Sequence, residues 1–377
     1  MTPNRAHIGT GMRVLHIIST LAPGGAGHQL RLLVRGLPHD CEVVTLSRPG
    51  AVAEAMRADG TTVHELGTGS DPATVARLRR LIRRGRFDVV HTHLYRACVQ
   101  GRFAARLAGV RPVVATAHHL SERSVEGRPA SPGVRALYLA GERAGRATIA
   151  VTPAVAGRLR AWGVPEARVT VIPKALDPAE YRYDPGLRAT VRARLRIAPD
   201  APVVGGVGRL AHGEGFDRLI RAVGEAPGAT LLLVGDGPAR VALERLADIE
   251  GVADRVRFAG AVAHPRAMLC AMDVFASPTG PQTFGLVVLE AIAAGLPALY
   301  AACPPLEELA SARAAVAGTH RLSPRDPESL PRALRTELLS HRERQGARLP
   351  ARSAGDRYSA TGLATSVARV YERVAGR

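Results

Sequence analysis

Pro202-Val203-Val204-Gly205-Gly206-Val207-Gly208 is a short apolar run that closes on glycine. It reads as a buried strand, because it is β-branched, too brief for a packed helix, and ended by a turn residue. After Gly213-Glu214-Gly215, residues 216–223 place apolar side chains at helical spacing. The pattern then repeats: 229–234, 256–258, 274–275 and 297–300 read as strands, and 239–249, 265–271 and 287–294 as helices. Continuous apolar strands alternating with helices predict a parallel sheet covered on both faces.

Working upstream, the same alternation fills the first half of the chain. Arg13-Val14-Leu15-His16-Ile17-Ile18 is a strand, Gly24-Gly25 a turn, and Leu30 to Leu37 one face of a helix. Strands at 41–46, 62–66, 87–90, 112–116, 148–151 and 169–172 alternate with helices at 52–59, 74–84, 97–108 and 134–144. Residues 1–11, polar and glycine-bearing, read as a loose extension. Residues 173–200, with Asp177-Pro178, Asp184-Pro185 and Pro199-Asp200, read as a connection between domains. Tyr358, Leu363, Val367, Val370 and Tyr371 have near-helical spacing, whereas 323–350 shows no strong apolar face. The fold class expected is α/β, with two Rossmann-like, doubly wound parallel-sheet domains facing across a cleft. Their limits are 12–180 and 181–356, and a terminal helix over 357–377 crosses back to the first.

A chain of 377 residues with 46% apolar content is long enough for two such cores, and disorder or a disulfide scaffold is excluded. The net charge is +18, yet Lys174 is the one lysine and all other basic side chains are arginine. That bias reads as GC-rich coding rather than as a selected phosphate-binding surface, so composition alone does not decide the partner. Position is more informative: residues 1–188 hold 27 basic against 14 acidic side chains, and the remainder 24 against 19. A basic first domain suits an anionic small molecule or membrane surface, or is only a solvated face. Cys41, Cys98, Cys270 and Cys303 form no Cys-x-x-Cys pair, which suits reduced thiols in a cytoplasmic protein. No apolar run approaches a membrane span or a signal peptide.

In open parallel sheets, ligands bind beyond the carboxyl ends of strands, where glycine admits phosphate to backbone amides. Gly24-Gly25, Gly205-Gly206-Val207-Gly208-Arg209, Gly235-Asp236-Gly237 and Thr279-Gly280-Pro281-Gln282-Thr283-Phe284-Gly285 all qualify. A dehydrogenase reading of Gly206-x-Gly208 fails, since glycines interrupt the helix that should open at once and no acidic residue ends strand 229–234. Phe284-Gly285-Leu286-Val287-Val288-Leu289-Glu290-Ala291 is the most diagnostic run. Gly285 lets the chain turn, the helix beginning there offers free amides, and Glu290 lies where a carboxylate accepts both ribose hydroxyls. An exposed helix glutamate is the alternative.

This run resembles the C-terminal domain of family 4 glycosyltransferases, two-domain GT-B enzymes that retain anomeric configuration. Gly24-Gly25-Ala26, Phe87-Asp88-Val89-Val90-His91-Thr92-His93, Val171 to Asp177, and Gly208-Arg209-Leu210 leading to Gly215-Phe216-Asp217 resemble further landmarks of that family, in family order. The resemblance implies that Arg209, beside Gly208, neutralises the donor diphosphate and Glu290 holds the ribose. It also implies that Phe284, Gly285 and Leu286, with Thr283 beside them, hold sugar and phosphate. His118 matches a histidine close to sugar and acceptor, although a structural imidazole at a strand end also fits. Gly24, Gly25 and His93 are assigned to the acceptor or phosphate loop.

Two positions depart from the family pattern. Glu214 stands where it has a second diphosphate-binding lysine, and Gln282 where it has the first glutamate of a Glu-x7-Glu pair. An anion in place of a cation beside phosphate costs on the order of 1 to 4 kcal/mol per contact. Three explanations stay open: altered donor geometry, a rate that leans on Arg209 and loop amides, or lost transfer. The chain contains no Asp-x-Asp, and His91-x-His93 and His118-His119 lack acidic or thiolate company, so no metal and no cofactor are expected. The expectation is a cytoplasmic, retaining hexosyltransferase, possible at the membrane periphery, that joins a nucleoside diphosphate sugar to a hydroxyl acceptor. Its rivals are a non-catalytic relative and, lacking aromatic platforms, an electrostatic nucleic-acid binder.

Overall fold

A computed structural model describes residues 11–22, 24–67, 72–120, 124–126, 128–262, 264–278, 284–311, 318–323, 325–350 and 358–376, with side chains of 308–311 set aside. Most of the expected N-terminal extension, the loop 279–283 with Gln282 and Thr283, and the lead-in 351–357 to the terminal helix lie outside them. The chain divides into two compact units, residues 1–175 with 360–377, and residues 176–359.

The first unit runs β1 (Arg13–Ile18), α1 (Gly25–Gly36), β2 (Asp40–Thr45), α2 (Ala51–Ala58), β3 (Thr62–Glu65), α3 (Pro72–Gly85), β4 (Val89–His93), α4 (Tyr95–Ala108) and β5 (Val113–Ala117). The pair β6 (Ser124–Val125) and β7 (Arg128–Pro129), α5 (Pro132–Ala144), β8 (Ala147–Ala150), α6 (Pro153–Ala161) and β9 (Val169–Val171) follow. Seven strands form one parallel sheet in the order β3-β2-β1-β4-β5-β8-β9. Alternate residues of β1 feed opposite layers: Val14 packs with Leu32 and Leu33 of α1, while Leu15 and Ile17 pack with Leu78 and Ile82 of α3. Burial on both faces is why the strands read as unbroken apolar runs.

The second unit runs α7 (Pro185–Arg194), β10 (Val203–Val207), α8 (Phe216–Gly224), β11 (Thr230–Val234), α9 (Arg240–Ile249), β12 (Val256–Gly260), α10 (Arg266–Ala271) and β13 (Val274–Ser277). It continues with α11 (Leu286–Ala293), β14 (Ala298–Tyr300), α12 (Pro304–Ser311), β15 (Thr319–Arg321) and α13 (Ser329–Glu343). The strand order is β12-β11-β10-β13-β14-β15, again all parallel. Helix α14 (Ala360–Ala375) returns to the first unit, as expected, and packs Leu363, Val367 and Tyr371 beside β1 and α1.

Two expectations need correction. The stretch 173–200 is not only a connection, because it contains α7, seated in the second unit. Asp184 caps that helix, accepting from Gly186 N at 2.8 Å and Leu187 N at 3.1 Å, with Pro185 in its first turn. Its Arg192 is buried against Asp273 at 2.8 Å, which also accepts from Val203 N at 2.8 Å. The stretch 323–350, read as lacking an apolar face, holds α13, whose Leu330 and Leu334 are fully buried. Two leucines four residues apart suffice where a neighbouring sheet already supplies the core.

Candidate active site

In the second unit the chain reverses direction across the sheet between β10 and β13, and the carboxyl ends of these two strands and of the adjacent β11 lead to three of the expected loops. Backbones crowd there. Gly208 N donates to Val234 O at 2.9 Å and Leu210 N to Asp236 O at 3.1 Å. A Cβ on Gly235, at φ +139°, would lie 1.8 Å from Gly208 O, so only glycine fits. Arg209 projects from this crowded turn, exposed, and pairs with no carboxylate among the described residues. Glu214, in the following turn, is half-buried and is not without a partner.

Beyond β13, Gly285 adopts φ +76° as the N-cap of α11, and a Cβ there would meet Cys303 Sγ at 2.8 Å. The cap has no side chain to cover the first-turn amides, which leaves the amides of Leu286 and Val287 without intrahelical acceptors. Phe284 packs edge-on against Tyr358, at 6.1 Å between ring centroids. One and a half turns into α11, Glu290 is only 6% exposed, which removes the alternative of a solvated helix glutamate. Its Oε1 accepts from the Tyr181 hydroxyl at 2.9 Å. Burial, then the Glu290 charge, push the Tyr181 phenol well above its ordinary value, so it stays a donor. The ring of Tyr181 stacks on His264, with centroids 4.9 Å apart. Sequence reading did not find Tyr181, which lies 109 residues from its partner.

The first unit places its expected residues at the corresponding reversal between β1 and β4. Parallel register sets His16 beside His91, and His93 follows two residues on, on the same face. Nδ1 of His16 lies 3.2 Å from Nε2 of His93, and Nδ1 of His93 lies 3.3 Å from Nε2 of His118. His91 is hydrogen-bonded through Nδ1 to the Tyr371 hydroxyl at 2.7 Å and through Nε2 to Thr116 Oγ1 at 2.8 Å. Ligand atoms of His16, His91 and His93 lie within 4.8 Å of one another. Both nitrogens of His91 are taken by hydroxyls and both of His93 by imidazoles, whereas the buried Nε2 of His16 and Nδ1 of His118 meet no hydrogen-bond partner among the described residues.

Burial holds His16, His91 and His93 well below the usual imidazole range, and neighbouring imidazoles add to the effect. Burial and, secondarily, Lys174 lower His118 to about 3. His118 N donates to Glu126 Oε1 at 2.6 Å, and Glu126, at φ +50°, is raised by burial to about 7. His118, His93, Gln29 and Lys174 line a cavity of about 30 Å³, room for about one water. Gly24 and Gly25 open α1, without a side-chain cap. His118 is thus both a strand-end imidazole with a structural partner and a lining group of a small, mostly apolar cavity.

Glycosyltransferase Family 4 matches residues 23–180, and the Glycosyl transferases group 1 model matches residues 201–340. A D-inositol 3-phosphate glycosyltransferase of Nocardia farcinica is 30% identical over 319 residues, covering 77% of this chain and 69% of that protein. A 2-deoxystreptamine glucosyltransferase of Streptomyces kanamyceticus is 29% identical over 306 residues, covering 76% and 79% respectively. Among solved structures, Anabaena HepE in complex with UDP has a TM-score of 0.77 at 21% identity, covering 96% of this chain and 100% of that one. That likeness establishes the GT-B fold.

Proposed function

The chain belongs to glycosyltransferase family 4, and from that premise we propose that it transfers a hexosyl group, with retention, from a nucleoside diphosphate sugar to a hydroxyl acceptor. The observation that carries the donor reading is the convergence, beyond β10 and β13, of an uncommitted guanidinium, capless helix amides and a buried carboxylate. Arg209 neutralises the diphosphate, and the amides after Gly285 receive its oxygens or the sugar. Glu290 accepts from the ribose; each carboxylate oxygen has two lone pairs, so the bond from Tyr181 leaves capacity. HepE has been solved with UDP and with UDP-glucose, which makes a uridine nucleotide the first probe.

The acceptor is assigned to the basic first unit, with His118 and His93 nearest it. The leaving phosphate assists removal of the acceptor proton in a front-face displacement, and no protein nucleophile is required. No described helix is long and apolar enough to cross a membrane. A cytoplasmic enzyme, peripheral at most, that needs neither metal nor cofactor completes the reading; chelation by EDTA should leave its rate unchanged.

Calorimetry with UDP tests the donor site. Glu290→Ala is expected to weaken binding about 10- to 100-fold, the worth of charge-assisted hydrogen bonds. Unchanged affinity would remove Glu290 from the site. Tyr181→Phe, which deletes one donor and leaves the ring, should weaken UDP about five- to ten-fold. Its effect should shrink with a uridine nucleotide lacking ribose hydroxyls, because the hydroxyl acts only through Glu290.

A further inference from the structure

Helix α3 carries Arg77, Arg79, Arg80, Arg83 and Arg84, with no acidic residue anywhere in its 14 positions. All five are exposed, as is Arg86 just beyond them. None pairs with a carboxylate among the described residues: Arg77 donates to Thr74 Oγ1 at 3.2 Å and Arg79 to Leu107 O at 3.1 Å. Arg77, Arg80 and Arg84 form one wall of a groove of about 480 Å³. The one carboxylate lining that groove, Glu42, is already held by Arg13 at 2.7 Å and by His64 at 2.6 Å. So many like charges on one face repel one another, and no carboxylate among the described residues pairs with them.

The second observation is apolar. Leu107, brought to α3 by the bond from Arg79, is 61% exposed, among the most exposed large hydrophobic residues described. Exposed Arg106 precedes it and exposed Arg111 follows. An exposed leucine ringed by guanidinium groups is unfavourable against water and favourable at a lipid headgroup boundary, where the side chain enters the acyl region and the charges meet phosphates.

We propose that this α3 face seats the protein on an anionic phospholipid bilayer, with lipid phosphates against Arg77, Arg80 and Arg84 and Leu107 entering the membrane boundary. Guanidinium suits this role because its fork receives two phosphate oxygens at once. Nucleic acid would present the same phosphates, but its bases need a stacking surface. Phe87, the only phenylalanine, tyrosine or tryptophan lining the groove, is 5% exposed. The proposal deepens the membrane-peripheral reading above by naming its surface, and its test requires no transfer activity.

The test is sedimentation of the full chain with phosphatidylcholine vesicles, with or without phosphatidylglycerol. Binding is expected only to the anionic vesicles and should fall with added salt. Arg77→Ala, Arg80→Ala and Arg84→Ala together should weaken it about 100-fold, roughly five-fold for each arginine. Leu107→Ser should weaken it several-fold even where salt is low. All four positions are exposed, so far-ultraviolet circular dichroism should be unchanged. Equal binding to neutral vesicles, no binding to either, unchanged binding of the triple variant, or tighter binding to single-stranded RNA than to anionic vesicles would each overturn the proposal. Affinity for UDP in the triple variant should match that of the wild type. A failure with vesicles therefore leaves the donor reading standing, and a failure with UDP leaves this one.

Discussion

Arg209→Ala is expected to lower release of UDP from UDP-glucose by about two to three orders of magnitude, the usual cost of deleting a group aimed at developing charge. The phosphate oxygen that leaves the sugar gains negative charge only as the bond breaks, so a guanidinium beside it stabilises the transition state more than the bound donor. Arg209 suits that task because it is exposed and makes no ion pair with a described residue, so no internal bond must break first. Its loss should therefore appear in kcat. Glu290→Ala contrasts with it, since ribose contacts are alike before and during transfer, and its loss should appear chiefly in KM. Arg209→Lys keeps the charge but not the fork and should recover part of the rate. Because position 209 is exposed, the alanine variant should unfold within about 0.5 kcal/mol of the wild type. A kcat within about threefold of wild type would remove Arg209 from the chemistry.

How far the sequence displays this arrangement depends on the range of the interaction. Unbroken Val/Leu runs announced both sheets, since a strand covered on two faces has no polar side to blur the signal. Gly285 was legible because a turn into a helix at φ +76° excludes a Cβ. Helix α7 was legible in principle, since Asp184-Pro185 is a cap followed by a first-turn proline, yet proline and aspartate also mark loops. Glu290 was legible in its local run, but Tyr181 had no local signature, because only the fold brings it within 2.9 Å of a partner 109 residues away. His16 was hidden in a strand until its register with His91 was known. Local propensity thus located the elements, while the polar contacts that tune the site depend on neighbours far away in the chain.

Those buried imidazoles give the first unit a steep acid sensitivity. His16, His91, His93 and His118 are all held below the ordinary imidazole value, chiefly by burial, so the fold keeps them neutral. Unfolded, each binds a proton below about pH 6.5, so the unfolded state gains protons and stability falls as pH drops. Glu126 opposes this: raised to about 7, it holds a proton in the fold that it releases on unfolding above about pH 4.5. Four groups act against one. Between pH 7 and pH 5 the first unit should therefore lose stability, because the imidazoles outnumber the opposing carboxyl. In the second unit His341 is lowered by burial, partly offset by Asp273. Trp162 is the only tryptophan of the chain and lies at the end of α6, so its fluorescence reports the first unit alone. Urea unfolding followed by that signal should show a midpoint far lower at pH 5 than at pH 7. A midpoint that does not move would mean that the cluster admits water and titrates normally in the fold.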